Sequence, residues 1–427
     1  MKRGLSALVS LGLAAALGLS AAAAPLAEVV SQETQQVNGI TWSQMTAKVE
    51  KEDTVLYTVE ADAAAFEFAV ATHGSKADTI GNMAAADGAE AVAVLNGDHF
   101  SFQTGIPMGM SASQGRLLTS PIEAYDADGY FFHALGIMAD GTVKVGENPT
   151  LNITCRVGDT ELTVDRINRT RETWEGGQVC LFTPDYGATT GTNIAGIEYI
   201  LDTGDAVLDP GQTITATVRE INRDNDAPIE EGTMVLSASL LCFEKIQHIE
   251  EGDEVEITLS FEDEIWNDVV FAVGGNRAIV EDGKPLPFEY APGNFRTPNP
   301  RSALGVRADG TLVLVAVDGR SDDSRGLTAN ETAEYMANDL NCAYAILLDG
   351  GGSTALAIAD EEGVLHTVNV PSDGSERPVG NAVMLLPKAA TATSLDWIWF
   401  VVLGAAAVAA IALLVYAICK KPHGKNA

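Results

Sequence analysis

Between about Gly141 and Leu259 the chain reads as one short strand after another. "GTVKV", "LNITCRV", "ELTVDRI", "QVCLFT", "GIEYIL", "TITATV", "TMVLSA" and "EVEITLSF" follow each other with turn residues between them. Short β-type runs at such spacing argue for an all-β portion. Strand signals also flank it. "FEFAVAT" alternates cleanly, "AEAVAVLNGDHF" runs an apolar strand into a polar glycine turn, and "DVVFAVGG" and "TLVLVAVDGR" follow later. One helix carries its own start signal. Thr328 and Glu331 form a T-A-N-E capping box ahead of "ANETAEYMANDL", each side chain satisfying the other's backbone donor. The expected fold class is α+β: a strand-rich mixed-sheet domain with few helices.

The two ends of the chain read differently. Lys2 and Arg3 precede an apolar run from Leu5 to Leu19, then Ser20 and four alanines. A positive start, a short apolar stretch and a small-residue exit make a signal peptide over 1–27. "WIWFVVLGAAAVAAIALLVYAIC", from Trp397 to Cys419, carries no charge. A hydrocarbon core takes about 20 apolar residues, so this suffices for one C-terminal transmembrane helix. Trp397, Trp399 and Tyr416 lie near its ends, and Lys420, Lys421 and Lys425 follow. The positive-inside rule then puts the tail in the cytoplasm and the bulk of the chain outside, tethered to the cell membrane by a single pass. Roughly 365 residues remain for the exported part, enough for one large domain or two ordinary ones.

Net charge is −33, and five of the 26 basic residues belong to the terminal segments. So acidic a surface repels phosphate backbones, which argues against a nucleic-acid partner. It also makes any arginine beside a candidate motif harder to dismiss as background. Cys155, Cys180, Cys242 and Cys342 lie in the exported part, where disulfides are permitted; four cysteines allow three pairings, and spacing does not choose among them. There is no CxxC pair and no HExxH, so a structural or catalytic zinc site is not indicated; no cofactor is expected, and metal dependence stays open.

The densest chemistry is "AILLDGGGSTAL": Asp349, then Gly350, Gly351 and Gly352, then Ser353 and Thr354. Three successive glycines are costly to order. They can aim backbone N–H groups at an anion with no Cβ in the way, and the two hydroxyls add donors. A sharp turn capped by Asp349 accounts for the same letters equally well. Strand, helix, strand over residues 311–349 reads as a βαβ unit. In such a unit the ends carrying Asp318 ("VDGR") and Asp349 lie side by side, because a crossover connection makes the strands parallel. Crevices at such ends are the usual place for ligands. Two carboxylates facing one crevice can divide acid and base labour. Arg320 and Arg301 are the nearby candidates to grip phosphate oxygens.

A further turn, "LNGDHF", offers Asn96, Gly97 and Asp98 for sugar hydroxyls, and His99 beside them. A lone histidine in such a turn reads first as structural and only second as a proton shuttle. "GIPMGMSASQGRL" and "VDRINRTRE" add a fixed turn and Asn168, Arg169 and Arg171.

Taken in order, these motifs resemble the phosphodiester glycosidase family. The resemblance runs through "LNGDHF", "IPMG", "VDRINRTRE" and "FTPDYGATTGTN" to its most specific part: "NPRSALGVRADGTLVLVAVDGR", "GLTANETAEYM", "LLDGGGSTAL" and "ERPVGNAV". Asp98 and His99 depart from the small or aromatic residues usual after the Asn-Gly pair. The resemblance implies a domain over 90–388, preceded by a strand-rich part at 28–89. A linker at 389–396, the span at 397–419 and the tail at 420–427 follow. It implies hydrolysis of a sugar-1-phosphodiester to free sugar and a phosphomonoester. Asp349 would be the catalytic carboxylate and Asp318 its partner, with Arg301 and Arg320 stabilising the leaving phosphate. Asn96, Gly97, Asp98, Gly350, Gly351, Gly352, Ser353 and Thr354 would line the pocket.

Two other functions fit parts of the same sequence. One is a non-catalytic surface module binding anionic or phosphorylated glycans. The other is a phosphodiesterase cutting the P–O bond, a chemistry that usually recruits paired metals. Asp318, Asp322 and Asp323 have no histidine cluster near them for that purpose.

Overall fold

The structure is a computed structural model and describes residues 26, 28–122, 132–172, 177–288 and 293–388. The expected signal peptide (Leu26 apart), linker, transmembrane span and tail lie outside the described residues. Among the described residues no helix is long and apolar enough to cross a membrane.

Strands dominate, as the turn-punctuated pattern requires. The segment Gly141–Leu259 folds almost wholly into an 8-stranded sheet. Its inner strand Glu254–Phe261 shows why: every second side chain is buried and the others are not. A period of two is what a pleated strand with one face on a core imposes. That core gathers Ile153, Cys155, Tyr199, Leu236 and Ile257. All pairings in this sheet are antiparallel except Arg166–Ile167 beside Val179–Phe182, which is parallel and makes the sheet mixed.

A second 8-stranded sheet runs in the order Glu28–Val37, Ile40–Val49, Glu52–Asp62, Thr311–Val317, Arg301–Arg307, Cys342–Leu347, Arg277–Glu281, Lys284–Pro285. Two 5-stranded sheets complete the described residues. One of them sets Leu356–Ala359, Ala93–Asn96, Asn381–Pro387 and Phe66–Thr72 side by side. Strands from 28–89 therefore pair with strands from 90–388 in two sheets. Leu95, Phe271, Leu304, Leu314, Ile346 and Val383 form the core shared by the sheets. Each such side chain contributes about 2 kcal/mol by leaving water.

The capping box forms as expected. Thr328 Oγ1 accepts from Glu331 N at 3.2 Å, and Glu331 Oε2 accepts from Thr328 N at 2.7 Å. The helix Ala329–Glu334 widens into a π-turn at Tyr335–Asp339. The crossover differs from the sequence expectation. Thr311–Val317 and Cys342–Leu347 do run parallel, but they are not neighbours. Arg301–Arg307 lies between them, antiparallel to both. The cause is local: Arg301–Arg307 and Thr311–Val317 form a tight hairpin, closed by Asp309 Oδ1 accepting from Thr311 N at 2.9 Å and by Gly310 at φ +88°. That hairpin occupies the slot the returning strand would have taken. One edge of the sheet thus carries the exits to Asp318 and Asp349 and the entry at Arg301.

Candidate active site

The glycine turn at that edge is fastened to the early Asn-Gly turn. Asn96 is fully buried at the end of Ala93–Asn96. Its Nδ2 donates to Asp349 O at 2.7 Å, and its Oδ1 accepts from Ser302 Oγ at 2.6 Å and Ala355 N at 3.1 Å. Asp349 N donates to Gly97 O at 3.0 Å. Residues more than 250 positions apart in sequence (Asn96 and Asp349 among them) are thereby held in one register.

What this register brings together is His99 and Asp349. His99 Nδ1 lies 3.1 Å from Asp349 Oδ1, with the two side chains 30% and 15% exposed. Asp349 Oδ1 also accepts from Gly350 N at 2.9 Å. His99 Nε2 is buried and has no hydrogen-bond partner among the described residues, and the same holds for Thr354 Oγ1. Both atoms are closed to solvent, so they are unpaired polar groups inside the site rather than groups on its surface.

Asp98 stands behind this pair. Its carboxylate is buried in a slot between Gly109 and Gly274, accepting from the backbone N–H of Gly109 and of His99. A Cβ on either glycine would collide with it. Burial pushes the Asp98 carboxyl up to about 6, and the nearby Asp349 charge adds to this, while His99 and the two backbone donors oppose it. The Pro107–Gly109 turn that supplies one donor is itself pinned by Arg169. That buried guanidinium donates to the carbonyls of Pro107, Met108 and Gly109. Burial draws its pKa down to about 9, with Arg166 adding to the shift. Three motifs separated in sequence, "LNGDHF", "IPMG" and "VDRINRTRE", thus form one support.

Asp318 sits elsewhere at the edge. Its Oδ2 accepts from Tyr57 OH at 3.1 Å and its Oδ1 from Val370 N at 3.0 Å and Asn369 Nδ2 at 3.3 Å. Burial holds its pKa above the usual carboxylate range, the three donors offsetting this only in part. Asn369 Nδ2 also reaches Thr354 O at 3.2 Å, so Asp318 touches the glycine turn through one intermediary. Asp98 feels the Asp349 charge, the smallest of the influences on it. Arg301 is buried with its guanidinium spent on the carbonyls of Leu327, Asn294 and Thr297. Burial brings it down to about 10, with the Arg320 charge second.

Four amides of the glycine turn are engaged within the protein. Gly350 N donates to Asp349, Gly351 N to Pro300 O, Ser353 N to Gly350 O and Thr354 N to Gly351 O. Cations surround it instead. Gly351, at φ +61°, lies against the Arg320 guanidinium, and Gly352 lies against that of Arg377. A Cβ there would meet an arginine tip, which can shift; the firmer demands for bare backbone are the positive φ of Gly351 and the Pro300 carbonyl against Gly350. Arg320 is exposed and donates to Asn299 Oδ1 at 2.9 Å. Arg377 pairs with Asp373 and reaches Ser353 Oγ at 3.4 Å. Arg377 was not singled out by sequence reasoning, although it lies within "ERPVGNAV". Its signal was the scarcity of cations in so acidic a chain. Among the described residues no three His, Cys, Asp or Glu side chains converge to cage a metal ion. The four cysteines there are free thiols.

Residues 206–386 match the family model described as phosphodiester glycosidase. Over that stretch, less than half of the chain, it is similar to phosphodiester glycosidase domains. The match contains Asp318, Asp349, the glycine turn and Arg377, and begins after the "LNGDHF" turn that docks on them. A SPbeta prophage-derived uncharacterized protein of Bacillus subtilis is 39% identical over 102 residues, covering 24% of this chain and 15% of that protein. Two solved structures, from Synechocystis and Burkholderia pseudomallei, share the fold. A hypothetical protein from Synechocystis superposes with a TM-score of 0.61 at 17% identity, covering 83% of this chain and 63% of that one. A Burkholderia pseudomallei protein gives 0.64 at 18%, covering 84% and 97%. The catalytic domain of zebrafish N-acetylglucosamine-1-phosphodiester alpha-N-acetylglucosaminidase gives 0.43 at 16%, covering 84% and 88%. The phosphodiester glycosidase domain is of a hydrolase type.

Proposed function

We propose that this protein hydrolyses the bond between an anomeric carbon and phosphate in sugar-1-phosphodiesters, releasing free sugar and a phosphomonoester. We further propose that it does so outside the cytoplasm, tethered by the C-terminal apolar segment. The observation that carries the reading is the convergence of the His99–Asp349 pair and two arginines on one glycine turn within a stretch similar to phosphodiester glycosidase domains.

In this reading the phosphodiester lies across the glycine turn between Arg320 and Arg377. Their charges stabilise the phosphate as the C1–O bond breaks, the kind of fixed electrostatic help that contributes most to catalysis. Phosphate departs readily, so the demand falls on the sugar side. Asp349 faces the positive charge that develops at the anomeric carbon. His99 orients the Asp349 carboxylate through Nδ1, and its buried Nε2 can take a proton from the incoming water only once the turn around it opens on binding. Asp98 fixes the backbone of His99. Asp318, already fully hydrogen-bonded, positions Asn369 and the turn rather than reacting, and Arg301 holds the surrounding loops.

The test is release of free sugar from a panel of sugar-1-phosphodiesters in oxygen-18 water. Label in the sugar supports cleavage at the anomeric carbon. Label in phosphate indicates P–O cleavage, and binding of the panel without turnover indicates a glycan-binding module; either outcome rejects the reading.

A further inference from the structure

The turn that follows His99 presents an aromatic ring that the hydrolytic reading leaves unused. Phe102 is 79% exposed, whereas Phe100, two residues earlier, is buried. The turn holding Phe102 is tied down: Thr104 N and Gly105 N donate to Ser101 O at 3.2 and 2.7 Å, and Ser101 N donates to Ile106 O at 3.0 Å. Phe100 packs on the Phe102 ring with centroids 5.0 Å apart. The Arg377 guanidinium carbon lies 5.8 Å from the ring centroid.

These contacts fix the ring without covering it. A phenyl ring carries negative charge density on its face, so a guanidinium held over it is attracted and braces its orientation. The same guanidinium touches Ser353 and borders Gly352, which places the ring one side chain away from the glycine turn. Ring orientation is thus set before any ligand arrives, and the ordering cost of binding is correspondingly small. A rigid, exposed apolar face beside a polar, cation-lined site suits a ligand with both characters. A pyranose has them, since its hydroxyls point outward at the rim while one face is a patch of C–H groups.

We propose that Phe102, braced by Arg377, is the platform on which the sugar ring of the substrate stacks. The assignment rests on the reading under Proposed function and names how that site holds its sugar. Because Phe102 is exposed, replacing it leaves the core intact.

The experiment compares wild type, Phe102→Ala and Phe102→Trp on N-acetylglucosamine-1-phosphodiesters bearing either a methyl or an aromatic aglycone, after thermal melts show equal folding. The expected result is a KM raised about tenfold in Phe102→Ala with both aglycones, kcat within about twofold, and recovery in Phe102→Trp. An unchanged KM overturns the platform. So does a loss confined to the aromatic aglycone, which would place the ring at the aglycone side. Saturation-transfer NMR with N-acetylglucosamine 1-phosphate separates this proposal from the hydrolytic one. Without turnover in wild type, transfer to the ring protons that disappears in Phe102→Ala still supports the platform while hydrolysis fails. No transfer in either protein overturns the platform.

Discussion

His99 Nδ1 and Asp349 Oδ1 are 3.1 Å apart, although 250 residues separate them in sequence. The contact exists because Asn96 and Gly97 hydrogen-bond the backbone of Asp349 from one side while Asp98 holds the backbone of His99 from the other. Asp349→Asn keeps an oxygen for the Gly350 amide but removes the charge. Turnover on a sugar-1-phosphodiester is expected to fall about a thousandfold with the melting temperature nearly unchanged. His99→Gln is expected to cost about a hundredfold or more, with the loss in kcat rather than KM. Nearly full turnover in Asp349→Asn would remove this carboxylate from the mechanism.

Arg320 sits at φ +61°, a left-handed conformation that costs a side-chain-bearing residue about 1–2 kcal/mol. It is exposed, so little packing offsets that strain. Arg320→Gly is expected to shift the urea midpoint upward or leave it unchanged, while kcat/KM drops at least about tenfold through loss of the cation beside Gly351. Arg320→Lys keeps the strain and only a point charge, and is expected to recover part of the activity and none of the stability. Denaturation and steady-state kinetics on the same preparations separate the two effects.

Asn96 is buried and makes three hydrogen bonds that tie three segments together. Asn96→Ala leaves the Ala355 amide, the Ser302 hydroxyl and the Asp349 carbonyl without that partner. Each buried orphan costs about 1–3 kcal/mol, so a loss of about 3 kcal/mol or more in unfolding free energy is expected, read from the urea midpoint. Activity should fall with it, because the His99–Asp349 contact depends on the same register. Preserved activity in a destabilised Asn96→Ala would show that the contact is held by other means.

Much of the architecture was legible in the letters because its causes are local. Period-two alternation in Glu254–Phe261 and the capping box at Thr328 need no distant partner. The parallel direction of Thr311–Val317 and Cys342–Leu347 followed from the helix between them, but their separation did not. It depends on a hairpin claiming the intervening slot. The candidate site behaves likewise. Asp349 and the glycine turn stand out in one segment of sequence. That His99 meets Asp349 is decided by Asn96 bridging two sheets, which no spacing announces. Arg377 and Phe102 escaped for a related reason: a guanidinium over a ring is a tertiary contact between loops 275 positions apart.

The buried Asp98 carries a pH signature that can be isolated. Its pKa is raised in the folded protein to about 6, chiefly by burial, from an ordinary value near 3.8. Folding therefore takes up a proton at this site between about pH 4 and pH 6, and the stability this contributes is present at low pH and lost as pH rises through about 6. Over that window the loss is about 3 kcal/mol, from roughly 1.4 kcal/mol for each pH unit between the two values. Asp98→Asn cannot ionise and lacks the effect. It places an amide against the Gly109 or His99 backbone donor, so it is less stable than wild type at pH 4. As the wild type alone loses stability with rising pH, the gap between the two proteins should narrow by about 3 kcal/mol by pH 7. Urea midpoints of both proteins across pH 4–7 measure this directly. A gap that is constant or widens with pH would mean that Asp98 is ionised in the folded protein throughout, and that the charges of His99 and the backbone donors outweigh its burial.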